Sequence, residues 1–81
     1  MAKMIYCDAY RTLIDTLRRL REEQGLRQAD VGEKLGLSAD WVGKVEGGEI
    51  RLDLLHLVLL CRLYGAQPDE LVRQFAQGLP D

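Results

Sequence analysis

Apolar positions recur along most of this chain with the period of an α-helix, and glycines break the pattern into five stretches. Tyr10, Leu13, Ile14, Leu17 and Leu20 share a face, which predicts a first helix from about Asp8 to Gln24, with Asp8 as N-cap and Gly25 as stop. A second, shorter helix spans Gln28 to Leu35. Val31 and Leu35 share one of its faces, while Ala29 and Gly32 leave another nearly bare. Glycine inside a helix costs about 1 kcal/mol relative to alanine, so Gly32 predicts a neighbour pressed close against it. Gly36 ends this helix, and Ser38 is placed to cap a third from Ala39 to Glu46, with Val42 and Val45 facing inward. Gly47 and Gly48 stop the third helix, Ile50 anchors the following loop, and Asp53 caps a fourth helix from Leu54 to Tyr64. Gly65 ends that one. Pro68 opens a fifth helix to about Gln77, with Gly78 and Pro80 as terminators. No stretch alternates with period two, so the expected fold class is all-α.

The chain has 81 residues, below the usual domain size of ~100–150, so residues 1–81 are read as one domain with its core over about 8–79. A chain this short buries only about 60–65% of the surface its unfolded chain exposes, so a partner subunit is expected to help stabilise it. The net charge of −2 excludes a protein held to nucleic acid or membrane by overall charge; any DNA contact must come from a local face. Cys7 and Cys61 lack the spacing of a disulfide framework or zinc site, which points to reduced thiols and an intracellular protein. The longest apolar run, Leu57 to Cys61, is too short to span a bilayer, and the start from Met1 to Tyr6 lacks a signal-peptide core, so a cytoplasmic location with no membrane partner is expected. Ser38 is the only serine and His56 the only histidine. With no phosphate-cradling glycine loop and no metal-ligand cluster, catalytic residues, a metal and cofactors are all expected to be absent, and an enzyme has no chemical support. His56 is read as a helix-surface or interface residue.

A short helix with a tight Ala/Gly face, a glycine turn and a Ser-capped second helix is the helix-turn-helix arrangement, whose second helix can enter a DNA major groove. The run from Leu17 through Gly25 to Ser38, then Trp41 to Gly48, with Leu63-Tyr64-Gly65 and Pro68-Asp69-Glu70-Leu71 beyond, resembles the lambda-repressor-like, xenobiotic-response-element-type helix-turn-helix family. The resemblance covers roughly residues 10 to 75. It implies a five-helix lambda-repressor-like DNA-binding domain with double-stranded DNA as partner, in a small stand-alone protein similar to phage Cro-like repressors, restriction–modification controller proteins and antitoxins.

Carried over position by position, the resemblance puts Gln28 against the DNA backbone and Ser38 on a cap that touches phosphate. Ala39, Asp40, Gly43 and Lys44 fall on positions that face base edges, and Trp41 and Arg51 join this DNA-binding set. Arg21 and Glu46 match a structural pair tying the first helix to the end of the third. By side-chain chemistry Lys44 can donate to guanine, Ala39 can touch a thymine methyl and Asp40 can accept from cytosine N4. Lys44 and Asp40 also read as ordinary helix charges, and Trp41 as cover for the junction between the second and third helices. The sequence differs from the family pattern at Arg27, where a small polar cap is usual, at Leu52, where proline is common, and at Trp41.

From Gln28 to Asp53 three cations oppose six carboxylates, a balance of −3 that repels phosphate unless those carboxylates are paired or turned away. Arg11, Arg18, Arg19 and Arg27 can restore a basic rim. The same balance, with Trp41, raises the alternative of an interaction module or antitoxin that uses the fold to bind a protein partner. Leu54, Leu57, Val58, Leu60 and Cys61 account for a buried face of the fourth helix. Leu52, Leu55 and Leu59, with Val72, Ala76 and Leu79 on the fifth, extend apolar surface beyond it and form the expected homodimer interface, core under the fifth helix being the competing reading.

Overall fold

In a computed structural model, which describes residues 7–80, five helices follow in order: α1 Asp8–Glu23, α2 Gln28–Leu35, α3 Ala39–Glu46, α4 Leu54–Tyr64 and α5 Pro68–Gly78. No strand forms among the described residues. Local chemistry sets most boundaries. Ser38 Oγ accepts from the Trp41 N–H at 3.0 Å and Asp53 Oδ1 from the His56 N–H at 2.8 Å, so α3 and α4 each have one otherwise orphaned N–H satisfied. Gly36 and Gly65 close α2 and α4 in the left-handed region, at φ of 71° and 73°, where a side chain would be strained.

Three details differ from the sequence expectation. Cys7, not Asp8, is the N-cap of α1, and its carbonyl accepts from the Arg11 N–H at 3.1 Å. Ala9 is buried against α5, and that packing draws the first turn of α1 one residue further back. Gly78 is the last residue of α5 and not its terminator; a Cβ there would stand 3.1 Å from that of Ala9, so the glycine serves close approach. Leu54, expected inside, is 73% exposed. It is the first residue of α4, and because side chains lean toward a helix's N-terminus, this one points off the end.

The core joins Ile14 and Leu17 of α1, Val31 of α2, Val42 and Val45 of α3, Leu57, Leu60, Cys61 and Tyr64 of α4, and Leu71 of α5. Burial pushes the Cys61 thiol above its ordinary value and the Tyr64 phenol up to about 12. α1 packs on α3, α4 and α5, while α2 packs chiefly on α3. The α2–α3 junction turns on Gly32: a Cβ there would fall 2.6 Å from the Leu37 carbonyl oxygen and 2.8 Å from the Ser38 carbonyl carbon. Both are backbone atoms that cannot swing aside. No helix among the described residues is long and apolar enough to cross a membrane.

Candidate nucleic-acid interface

The seat of α3 is built from its inner end outward. Val42 and Val45 fix one side in the core, and Glu46 at the last position receives three side-chain hydrogen bonds. Arg21 Nε donates to Glu46 Oε2 at 2.7 Å, Arg21 Nη2 to Oε1 at 3.1 Å, and Gln28 Nε2 to Oε1 at 3.0 Å. Arg21 Nη1 also donates to the Leu26 carbonyl at 2.7 Å, so one guanidinium ties α1, the α1–α2 turn and α3 together. Hydrogen bonding to Glu46 raises Arg21 above its ordinary value, outweighing the opposing effect of burial.

Gly43 makes the Gln28 contact possible. A Cβ at position 43 would lie 3.3 Å from Gln28 Oε1, so the bare backbone of α3 leaves the lane along which the amide reaches Glu46. Gln28 is half-buried, and its amide retains a second N–H and an acceptor oxygen. Gly43 is half-buried beneath it.

Ser38, Ala39, Asp40 and Lys44 are exposed together at the start and outer face of α3. Arg51 is exposed in the loop that follows. Lys44 Nζ lies 3.1 Å from Asp40 Oδ2, one turn away, so a base contact by either must compete with this exposed pair. Such pairs are worth well under ~1 kcal/mol, and a nucleic acid can displace this one. Trp41 is less exposed than Ser38, Ala39, Asp40 and Lys44. It is half-buried against the core, and its ring stands 4.8 Å from that of His56 on α4, tilted by 50°. This contact braces α3 on α4. His56 in turn bonds Asp53 Oδ1 through Nδ1 at 2.8 Å, and hydrogen bonds from His56, first its backbone N–H, hold the Asp53 carboxyl below its ordinary value.

The acidic balance of this region is mostly spent internally. Asp30 accepts from the Arg27 guanidinium and N–H, Asp40 meets Lys44, Glu46 is consumed by Arg21 and Gln28, and Asp53 by His56. Glu33 and Glu49 have no ion-pair partner among the described residues. Of the arginines named as a possible basic rim, Arg18, Arg19 and Arg27 pair with Glu22, Glu23 and Asp30, whereas Arg11 makes no ion pair among the described residues. A further tie, without local sequence signal, runs from the Leu52 N–H to Tyr10 Oη at 3.0 Å across 42 positions, fixing the α3–α4 loop to α1.

Leu52 turns toward the core and is half-buried, so its apolar surface is largely used within the chain. Leu55 is 63% and Val72 44% exposed; Ala76 is exposed, and Leu59 and Leu79 are half-buried. No three His, Cys, Asp or Glu side chains group to hold a metal ion among the described residues.

A short helix braced behind a second, capped helix whose outer face is free defines a helix-turn-helix. The profile of the helix-turn-helix domain family matches residues 13–75 of the 81, from the middle of α1 into α5, and the chain belongs to this DNA-binding family. No curated protein matches the sequence.

Proposed function

We propose that the protein is a sequence-specific transcriptional regulator that binds a pseudo-palindromic operator as a homodimer, in the manner of phage Cro-like repressors or restriction–modification controllers. The observation that carries this reading is the division of α3. Its inner face is locked by Val42, Val45, Trp41 and Glu46, while Ser38, Ala39, Asp40 and Lys44 stand clear of the fold. A rigid helix with a free, short-chained N-terminal face suits entry into a major groove. None of these side chains is a bidentate arginine or glutamine reader, so sequence preference leans on DNA shape and phosphate positioning as well. Exposed Leu54, Leu55 and Val72 support pairing of two copies. The protein acts in the cytoplasm without catalysis or cofactor, so its concentration and the promoter geometry set its effect.

Selection of bound duplexes from a randomised pool tests the reading. The expected result is a two-fold-symmetric motif with half-sites about 34 Å apart, one helical turn. A folded protein that enriches no motif would overturn it and favour a protein partner for the same fold.

A further inference from the structure

The two ends of α3 are held by different means. Its last residue, Glu46, is fixed by Arg21 and Gln28, and Val42 and Val45 sit in the core. Ser38, Ala39 and Asp40 at its start are exposed, so the position of this first turn rests on Trp41 and on the close approach of Gly32 to the backbone of Leu37 and Ser38. Trp41 serves twice there. Its N–H is taken by Ser38 Oγ at 3.0 Å, which closes the cap, and its ring meets that of His56, 4.8 Å away and tilted by 50°. These are the only tryptophan and the only histidine of the chain.

The partner ring is itself fixed. Asp53 Oδ1 accepts from the His56 N–H and from Nδ1, each at 2.8 Å, so one carboxylate oxygen sets both the start of α4 and the plane of the imidazole. A proton on Nδ1 satisfies that bond in the neutral ring and in the charged one. Among the described residues Asp53 is the one charged group within ion-pair distance of His56. On α3, Trp41 follows Asp40 directly and Lys44 lies one turn on, so a shift of the indole carries both exposed side chains with it.

We infer that His56 is a positioning residue for base discrimination: clamped by Asp53, it holds Trp41, and through it the first turn of α3, at the angle from which Ala39, Asp40 and Lys44 meet the bases. The inference rests on the operator-binding reading and adds to it a determinant on α4, outside the helix that enters the groove. An angular error in this turn costs the contacts to base edges, whose geometry is narrow, and leaves the attraction to phosphate nearly intact.

The test measures affinity for the selected duplex, for one carrying a single mismatch under α3 and for a random duplex, in the unaltered protein, His56→Ala and His56→Phe. A mismatch ordinarily weakens binding by roughly five- to 150-fold, and His56→Ala should cut that discrimination by about threefold or more. Affinity for the random duplex should hold within about twofold, because phosphate attraction carries it. His56→Phe, which offers Trp41 a ring without the Asp53 bond, should fall between the two. Trp41 emission reports the contact directly: a protonated imidazole quenches a neighbouring indole, so the emission should fall between about pH 8 and 5 in the unaltered protein and hold level in both variants. Unchanged discrimination in His56→Ala, or an equal loss on all three duplexes, would overturn the positioning role. Emission from the unaltered protein that ignores pH would overturn the route through Trp41. If the unaltered protein discriminates among no duplexes, the operator reading falls and this role with it, whatever the emission shows.

Discussion

Arg21 and Glu46 meet through two hydrogen bonds, at 2.7 and 3.1 Å, with each side chain only 9% exposed. The pair joins α1 to the last residue of the recognition helix across 25 positions of sequence. Removing one partner leaves the other charge under cover without an answer, which costs about 3 kcal/mol, a large part of the stability of so small a domain. Glu46→Ala is therefore expected to lower the urea midpoint strongly. The double variant Arg21→Met with Glu46→Leu should lose much less than the sum of the single changes, because no lone charge remains. Additive losses in denaturant titrations would show that the two residues act independently.

Gly32 and Gly43 both sit inside short helices, yet their replacement by alanine should act in opposite directions. At Gly32 the new methyl would meet backbone of Leu37 and Ser38 inside 3.0 Å, so Gly32→Ala must force α2 away from α3, at a cost of about 1–3 kcal/mol. At Gly43 it would meet only the mobile end of Gln28, at 3.3 Å. There the better helix propensity of alanine should dominate and raise stability by up to about 1 kcal/mol, while loosening Gln28 from Glu46. Thermal melts of the two variants should move to opposite sides of the unaltered protein; a common direction would contradict the packing.

The helices were legible because their punctuation is local. Ser38 and Asp53 cap, Pro68 opens, and Gly36 and Gly65 close, each within its own few residues. The internal anchors of the site were legible only through family resemblance, since Arg21, Gln28 and Glu46 lie in three different helices. What was hidden depends on partners distant in sequence. Trp41 finds His56, Tyr10 finds Leu52, and the first turn of α1 is settled by Gly78. The net −3 of the recognition segment was incomplete for the same reason: a count of charges does not show that Glu46 is paired with an arginine outside the segment.

Asp30 gives the domain an acid-sensitive element. Hydrogen bonds from the Arg27 guanidinium, and then from the Arg27 N–H, bring its pKa down to about 2. A depressed carboxyl binds its proton more weakly folded than unfolded, so its stabilisation is whole above about 4 and is lost as pH falls toward 2. Asp30→Asn should therefore flatten the thermal-midpoint profile between pH 4 and pH 2 and leave its shape above pH 5 unchanged. An unaltered acid limb would show that Arg27 and Asp30 are not coupled in solution.

Tyr64 supplies the alkaline counterpart. Burial first, and then the Glu46 charge, raise its phenol to about 12. The folded state holds this proton more tightly, so the contribution is whole below the ordinary phenol value near 10 and is lost as pH rises toward 12. Tyr64→Phe should make stability less dependent on pH over that range. A variant as alkali-sensitive as the parent would assign the loss to another group.

The proposed homodimer has its sharpest test at Leu55, which is 63% exposed and carries no core contact whose loss would unfold the chain. As a plain surface position, Leu55→Glu should change stability by no more than ~0.5 kcal/mol. At an isologous interface the same substitution brings two carboxylates together near the two-fold axis, because each patch meets its own copy. Sedimentation equilibrium should then show the dimer dissociation constant rising at least tenfold, about 1.4 kcal/mol, with the helical circular dichroism spectrum unchanged. Binding to a full palindrome should fall in step, while binding to an isolated half-site should not. If the unaltered protein sediments as a monomer at concentrations that saturate its operator, or if Leu55→Glu leaves the dimer intact, this apolar surface is not the one that pairs the recognition helices.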